Sequence, residues 1–438
     1  MTHDIVVCGA GPAGSIAARR LAAAGARVVL VGAPPRPGCE GLSARSRSLL
    51  AEEGLDLGAG VIAGPLARRG IWADGRSVEG REWLVERSRL AEALRARARA
   101  AGADDRLGMV TSAERAGDGW RLRLRTGEVL ATPLLIDARG RRGMQRRGPV
   151  LLAIGRRFRR REPGAAGTGI GATDAGWCWW AASGQMLWVQ VVGSPRMGHP
   201  AGWVRAAAAQ IPALARSLEN AVAEGDPVAR PAHAGLGAGG NDSTLWRVGD
   251  AAVGMDPLSG QGVYEAVRGA RLAATAIQSV LNGGDALLAH RFIADRHDEA
   301  WLRSVRVAAD FYRENAGRGA FWADTAAAYD ALQPANAAAQ STDAAAPFEM
   351  TRVERRPVLD DGRIVERDVL VTPENPRGAW HIAGVPLVKL TEYLHRSERA
   401  TIAGAALALD RPAAAVAAAI HWLRQRGAMP RRIPTGIR

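Results

Sequence analysis

Lysine is nearly missing from this 438-residue chain: Lys389 stands alone and every other basic residue is arginine. Cysteine is scarce as well. Cys8, Cys39 and Cys178 form no CxxC pair and no metal-ligand spacing, and an odd number of thiols cannot close a disulfide framework. A disulfide scaffold and a metal site are therefore excluded, and a reducing compartment is expected. No apolar run approaches the roughly 20 residues of a membrane-spanning helix. The amino terminus passes from Met1 through Asp4 directly into a buried-strand pattern, without the basic and apolar stretches of a secretory signal. The expectation is a soluble, cytoplasmic protein with no membrane role. Eight histidines are scattered along the chain without a nucleophile triad or paired carboxylates, so no catalytic side chain is assigned.

Arginine is abundant. With 58 basic against 44 acidic residues the formal charge is +14, which raises nucleic acid or an anionic surface as a partner. Abundant alanine beside the arginine fits a coding bias equally well. One segment is denser than bias explains: Arg139, Arg141, Arg142, Arg146, Arg147, Arg156, Arg157, Arg159, Arg160 and Arg161 fall within 23 residues, a docking place for an acidic partner.

The apolar run Ile5, Val6, Val7, Cys8 is followed at once by Gly9, Gly11, Pro12, Ala13 and Gly14 in GxGxxG spacing, a helical pattern from Ser15 to Ala24, Gly25 and a second apolar strand from Val28 to Val31. In that context the glycines predict a dinucleotide-binding βαβ unit, because bare backbone and a helix amino terminus can approach a pyrophosphate closely. The acidic residue expected at the end of the second strand, for the ribose, is replaced by Gly32. Two further glycine clusters, Gly167 to Gly171 and Gly235 to Gly240, precede no helical pattern and are rejected as a second nucleotide site. A nicotinamide reductant would then visit transiently. Farther on, Arg247 to Ala252 predicts a strand delivering Asp250 towards ribityl hydroxyls. Asp256, Pro257, Leu258, Ser259, Gly260, Gln261 and Gly262 predict a turn that opens a helix over Val263–Val280, its positive end turned to a flavin pyrimidine.

These segments resemble the p-hydroxybenzoate hydroxylase-like and tryptophan halogenase-like FAD-dependent flavoproteins over roughly residues 1–330. Leu135 to Gly140 is similar to the family's central Asp-Gly segment, and Glu40 to Arg45 to the stretch whose arginine approaches the flavin. The resemblance implies that Asp137 and Gly140 line the FAD cleft, that Arg45 and Arg87 hold the cofactor, and that Val110 passes its backbone beside the adenine. Both arginines also read as ordinary surface residues of helices.

Residues 151–240 lose the βαβ rhythm and predict a strand-rich substrate domain, with Trp177, Trp179 and Trp180 on one strand and an alternating strand from Met186 to Val192. Side chains alternate across a strand, so Trp177 and Trp179 share a face that would roof an aromatic substrate, while Trp180 points away; plain core packing accounts for them equally. Trp177 and Trp179 match the start of the halogenase WxWxIP motif, but Ala181 and Ala182 replace its end. The family's halogenases use an amino-terminal lysine that this chain lacks, which disfavours halogenation. Cys39 beside Glu40 is similar to a segment of isoprenoid reductases, and a buried small hydrophobe explains Cys39 as well. Oxygenation of an electron-rich ring by reduced FAD and O2 is preferred.

Beyond a linker starting near Gln340, Arg356 to Leu370 predicts a hairpin around Asp360, Asp361 and Gly362, and helical patterns follow around Leu387, Ile402 and Ala415. The expected fold is α/β: a Rossmann-like FAD-binding domain over 1–150 and 241–339, an inserted substrate domain over 151–240 with part of 60–85, and a winged-helix-like module over 346–438. Arg424, Arg426, Arg431 and Arg432 keep DNA in view, but protein docking is the preferred role of this module. With that tail the chain resembles the flavoprotein monooxygenases of quinohemoprotein amine dehydrogenase (cysteine tryptophylquinone) biogenesis. The resemblance implies hydroxylation of a tryptophan in a polypeptide, the small subunit of an amine dehydrogenase, together with its other maturation enzymes, using FAD, O2 and an external reductant such as NAD(P)H. The alternatives are a flavin oxidoreductase acting on a small aromatic or isoprenoid, and a flavin-bound DNA-binding regulator.

Overall fold

A computed structural model describes residues 3–55, 61–71, 77–237, 242–333, 351–397 and 400–429. The chain divides into two compact units, one formed by Met1–Ala274 with Arg296–Gln333, the other by Thr275–Asp295 with Pro334–Arg438.

The first unit is built on two large sheets. Its nucleotide-type sheet has five parallel strands in the order Leu245–Arg247, Leu134–Asp137, Ile5–Cys8, Val28–Gly32, Asp104–Leu107. Ile5–Cys8 lies at the centre, which is why it reads as an unbroken apolar run: helices and neighbouring strands cover both of its faces and all four residues are buried. Cys8 is level with Asp137, and Asp137 with Arg247, so the three strands end side by side. The order in which strands are added to the sheet reverses between Ile5–Cys8 and Leu134–Asp137, which opens a crevice at their carboxyl ends, where doubly wound sheets bind ligands.

The second sheet has eight strands in the order Ala221–Pro231, Leu152–Arg160, Met186–Gly193, Gly176–Ser183, Gly167–Thr173, Ile62–Ile71, Ser77–Glu86, Cys39–Leu42. Both of its faces are covered. Trp177, Trp179, Trp188 and Val192 join a core with Trp301, Tyr312, Trp322 and Tyr329. Cys178, Trp180, Leu187, Val189 and Val191 join another with Trp203 and Leu214. The alternation expected for Met186 to Val192 is therefore between two cores rather than between core and water. Gly167 to Gly171 is a strand here, and its glycines are sockets: a Cβ at Gly169 would lie 2.1 Å from the Trp180 ring, as one at Gly155 would lie 2.3 Å from the Trp188 ring. Of the other rejected cluster, Gly235–Gly237 is a strand and 238–241 lies outside the described residues.

The second unit contains an antiparallel sheet in the order Arg352–Asp360, Arg363–Thr372, Asn375–Ala379, followed by helices Leu387–Arg396, Ile402–Leu409 and Ala413–Gln425. Asp361 and Gly362 both have positive φ, 46° and 73°, the geometry of the tight hairpin turn read from Asp-Gly. Leu370, Val385, Leu390, Leu394, Val416, Ile420 and Leu423 form a core of the unit's own. The expected linker at Gln340, the start of the module at 346, and Arg431 and Arg432 lie outside the described residues. Among the described residues no single helix is long and apolar enough to cross a membrane.

Candidate functional site: a glycine-lined cofactor cradle

The structure gathers Gly9 to Gly14, Asp137 to Gly140 and Asp250 at the carboxyl ends of three adjacent strands, Ile5–Cys8, Leu134–Asp137 and the edge strand Leu245–Arg247. Gly9 has φ +114°, and a Cβ there would sit 2.2 Å from the Ala138 carbonyl oxygen; one at Gly14 would sit 1.8 Å from the Gly9 oxygen. These two glycines let the turn fold onto the neighbouring strand and onto its own helix. Gly11 differs, since a Cβ on it would meet nothing within 4 Å. It caps the Pro12–Ala23 helix, whose first turn carries Pro12 and no acidic residue, so its free N–H groups face no competing carboxylate. Gly32 explains the missing acid: a Cβ there would lie 2.3 Å from the Ala10 Cβ and 2.7 Å from the Ala10 nitrogen.

Asp137 is buried and accepts from the Arg139 backbone N–H at 3.0 Å and from its guanidinium at 2.9 and 2.8 Å. Burial, helped by the Asp137 charge, pushes the Cys8 thiol up to about 12, and burial does the same to Cys39, so neither supplies a thiolate at neutral pH. Asp250 follows its strand in a short 3-10 turn, Gly249–Ala251, rather than on the strand itself. Its carboxylate is 3.2 Å from Arg141. The next turn, Pro257–Ser259, ends at Gly260 in the left-handed region, and Gln261 leads into the helix Gly262–Leu281, close to the expected range. Cβ atoms on Gly140, Gly260 and Gly262 would again meet nothing within 4 Å. Bare backbone thus rims the crevice on three sides, and these residues fit an FAD.

The two arginines carried over from the resemblance have protein partners. Arg45 donates to the Tyr264 hydroxyl at 3.0 Å and lies 4.7 Å from that ring's centre, beside the start of the Gly262 helix. Arg87 pairs with Glu40. Val110 begins a strand two residues after Gly108, whose N–H donates to the Gly32 carbonyl at 3.1 Å, so it lies near the end of the second parallel strand. Trp177 and Trp179 share a face, with Trp180 on the other. Both are buried and their indole N–H groups are engaged, Trp179 with Glu82 at 3.2 Å and Trp177 with Tyr312 at 3.4 Å. The arginine-dense segment disperses: Arg139 serves Asp137, Arg141 reaches Asp250 and two backbone carbonyls, and Arg157 and Arg159 pair with Glu224. Arg142, Arg146 and Arg147 are exposed.

A buried cluster escaped sequence reasoning. Asp256 accepts from the Leu258 N–H at 2.9 Å, from the Tyr329 hydroxyl at 2.7 Å and from the Tyr312 hydroxyl at 3.2 Å. Burial raises its pKa, against the pull of these donors and the Arg141 charge. Burial and the nearby Asp256 charge hold both tyrosines well above their ordinary range, so they remain protonated donors. The one available signal was Asp256 before Pro257, which reads as no more than a turn cap. Among the described residues no group of His, Cys, Asp and Glu converges as a metal site.

No protein-family model matches the chain, nor does any curated protein. Solved structures do. A peptidyl tryptophan dihydroxylase, QhpG, described as essential for tryptophylquinone cofactor biogenesis, is 30% identical with a TM-score of 0.81, over 98% of this chain and 100% of that one. The flavin-dependent halogenase CmlS is 18% identical with a TM-score of 0.70, over 91% and 90%. The flavin-dependent brominase Bmp2 is 20% identical with a TM-score of 0.62, over 76% and 91%. At those identities the two halogenating enzymes attest the fold alone. The end-to-end match to the dihydroxylase, together with a cradle built as FAD requires, places the chain in that enzyme's family of FAD-dependent monooxygenases.

Proposed function

We propose that this chain hydroxylates a tryptophan side chain within a polypeptide during biogenesis of a tryptophylquinone cofactor. One observation carries the reading: the similarity to the peptidyl tryptophan dihydroxylase holds over 98% of the chain at 30% identity and a TM-score of 0.81, against 18% and 0.70 for CmlS and 20% and 0.62 for Bmp2. The proposed substrate is the small subunit of an amine dehydrogenase, met in the cytoplasm with its other maturation enzymes. Bound FAD, reduced by NAD(P)H, supplies the electrons with which O2 gives one oxygen atom to an electron-rich ring and the other to water.

The chain's own residues bind and orient. The Pro12–Ala23 helix amino terminus and Gly11 take the pyrophosphate, Val110 the adenine edge, Asp250 the ribityl hydroxyls, and Gly260 to Gly262 the pyrimidine end, with Asp137 and Gly140 lining the cleft and Arg45 and Arg87 bracing its rim. The Trp177 and Trp179 face supplies apolar cover that keeps water from the reacting ring. Exposed Arg142, Arg146 and Arg147 speed encounter with an acidic polypeptide without adding much affinity. The domain limits expected from the sequence serve this division of labour, with FAD held by 1–150 and 241–339, the ring covered by 151–240, and the polypeptide docked by 346–438.

Intact-mass analysis of the small subunit, incubated with this enzyme, FAD, NADH and O2, tests the proposal. Oxygen mass gained on a tryptophan is the expected result. An unchanged subunit beside a bound, reducible flavin would overturn the polypeptide reading and favour a small aromatic substrate.

A further inference from the structure

Tyr312 has one hydroxyl and two partners on separate segments. Its oxygen accepts from the Trp177 indole, at 3.4 Å, and its proton goes to Asp256, at 3.2 Å from Oδ2. An indole N–H can only donate, so the polarity of this chain is settled: Trp177 to Tyr312 to Asp256. Asp256 in turn accepts from the Leu258 N–H and so fixes the Pro257–Ser259 turn that leads to Gly260, Gln261 and Gly262. All three side chains are buried.

We propose that Tyr312 is a positioning residue that ties the substrate-facing strand to the flavin-side turn, so that the placement of Trp177 and the placement of the 257–262 segment are set together. The proposal rests on the flavin assignment of that segment. Tyr312 touches neither reacting partner itself. Its ring is clamped against Tyr329 at 5.7 Å and 14° between planes, against Trp322 at 5.6 Å, and edge-on to Phe321 at 6.0 Å. A clamped ring transmits displacement: if the indole shifts, the hydroxyl cannot follow by rotating the ring and must lengthen one of its two bonds. Tyr329 is the built-in comparison. Its hydroxyl donates to the same carboxylate over a shorter distance, 2.7 Å, without a bond to the substrate strand.

The test uses the FAD-loaded full chain and the flavin midpoint potential, which fold stability alone does not move. Trp177→Phe removes the indole N–H, Tyr312→Phe the bridge, and Tyr329→Phe the donor that bridges nothing. Trp177→Phe is expected to shift the potential in the wild-type and Tyr329→Phe backgrounds and to have no further effect in Tyr312→Phe. A shift of equal size in the Tyr312→Phe background, or none in the wild type, would overturn the proposal. Should Trp177→Phe fail to fold, the two tyrosine variants decide by kinetics. Tyr312→Phe is expected to raise KM for the polypeptide at least threefold more than Tyr329→Phe does, and equal effects would overturn the coupling. A chain that binds no FAD would sink the cofactor assignment instead. A potential cycle that behaves as expected beside an unmodified polypeptide would leave the coupling standing and refute the substrate.

Discussion

Replacing Gly32 by glutamate would install the acid that a dinucleotide site ordinarily carries at the end of its second strand, and the structure predicts that the change is harmful. The obstacle is the Cβ, which would lie 2.3 Å from the Ala10 Cβ and 2.7 Å from the Ala10 nitrogen. Carbon atoms pack at about 3.5–4.0 Å, so the Gly9–Gly14 turn must retreat by roughly 1 Å. That turn has little room to move, because Ala10 is buried and the Gly9 N–H donates to the Val31 carbonyl at 2.7 Å. Overpacking of a well-filled site costs about 1–3 kcal/mol, and with backbone on both sides the upper end applies. At roughly 2–4 °C per kcal/mol for a large domain, the midpoint of thermal unfolding falls by about 6 °C or more. The same displacement moves the helix amino terminus out of line with the cofactor, so FAD binding should weaken as well. Gly32→Ala carries the same Cβ without the charge and should do nearly the same damage. Calorimetry and FAD fluorescence quenching measure both quantities. A Gly32→Glu protein that keeps its melting temperature and binds FAD more tightly would refute the steric argument.

Gly11→Ala is the opposite case: its Cβ enters space free of protein atoms, so stability should change by less than about 1 kcal/mol while FAD affinity drops at least tenfold, read by the same titration. His297 is half-buried, and desolvation followed by the Arg268 and Arg247 charges lowers its pKa from 6.5 to about 4. It is neutral in both states above pH 6.5, and below that the unfolded chain takes up a proton that the folded chain refuses until about pH 4. Stability is therefore fully present above pH 6.5 and falls by up to about 3 kcal/mol as the pH drops to 4. Chemical denaturation from pH 7 to 4 should show this slope, and His297→Gln should flatten it.

The parallel sheet was legible because its signals are local: an apolar run of four, glycines at fixed spacing, and a helix with Pro12 at its start all lie within a few residues of one another. The hairpin at Asp361 and Gly362 was legible for the same reason. Cys39–Leu42 was not read as a strand, because CEGL is short and its pairing with Leu42 opposite Trp83 is a long-range fact. Asp250 was placed one element early, since a strand running into a single 3-10 turn leaves no break in hydropathy. The Asp256 cluster was invisible in principle. Tyr312 and Tyr329 reach it across 56 and 73 residues, and on their own helices they are indistinguishable from any other buried aromatic.

The glycine sockets of the eight-stranded sheet bear on self-preservation. Under the proposed function, an enzyme that delivers oxygen to indoles carries the same ring in its own scaffold. Here Trp180 and Trp188 are sunk over Gly169 and Gly155, while Trp177 and Trp179 are capped at their N–H edges by Tyr312 and Glu82, and all four are less than a tenth exposed. These four rings offer almost no surface to a reactive oxygen species, so oxidation should fall on the visiting ring before it falls on them. Peptide mapping after exhaustive turnover should find these four tryptophans unmodified, and oxygen on any of them would show that burial does not protect them.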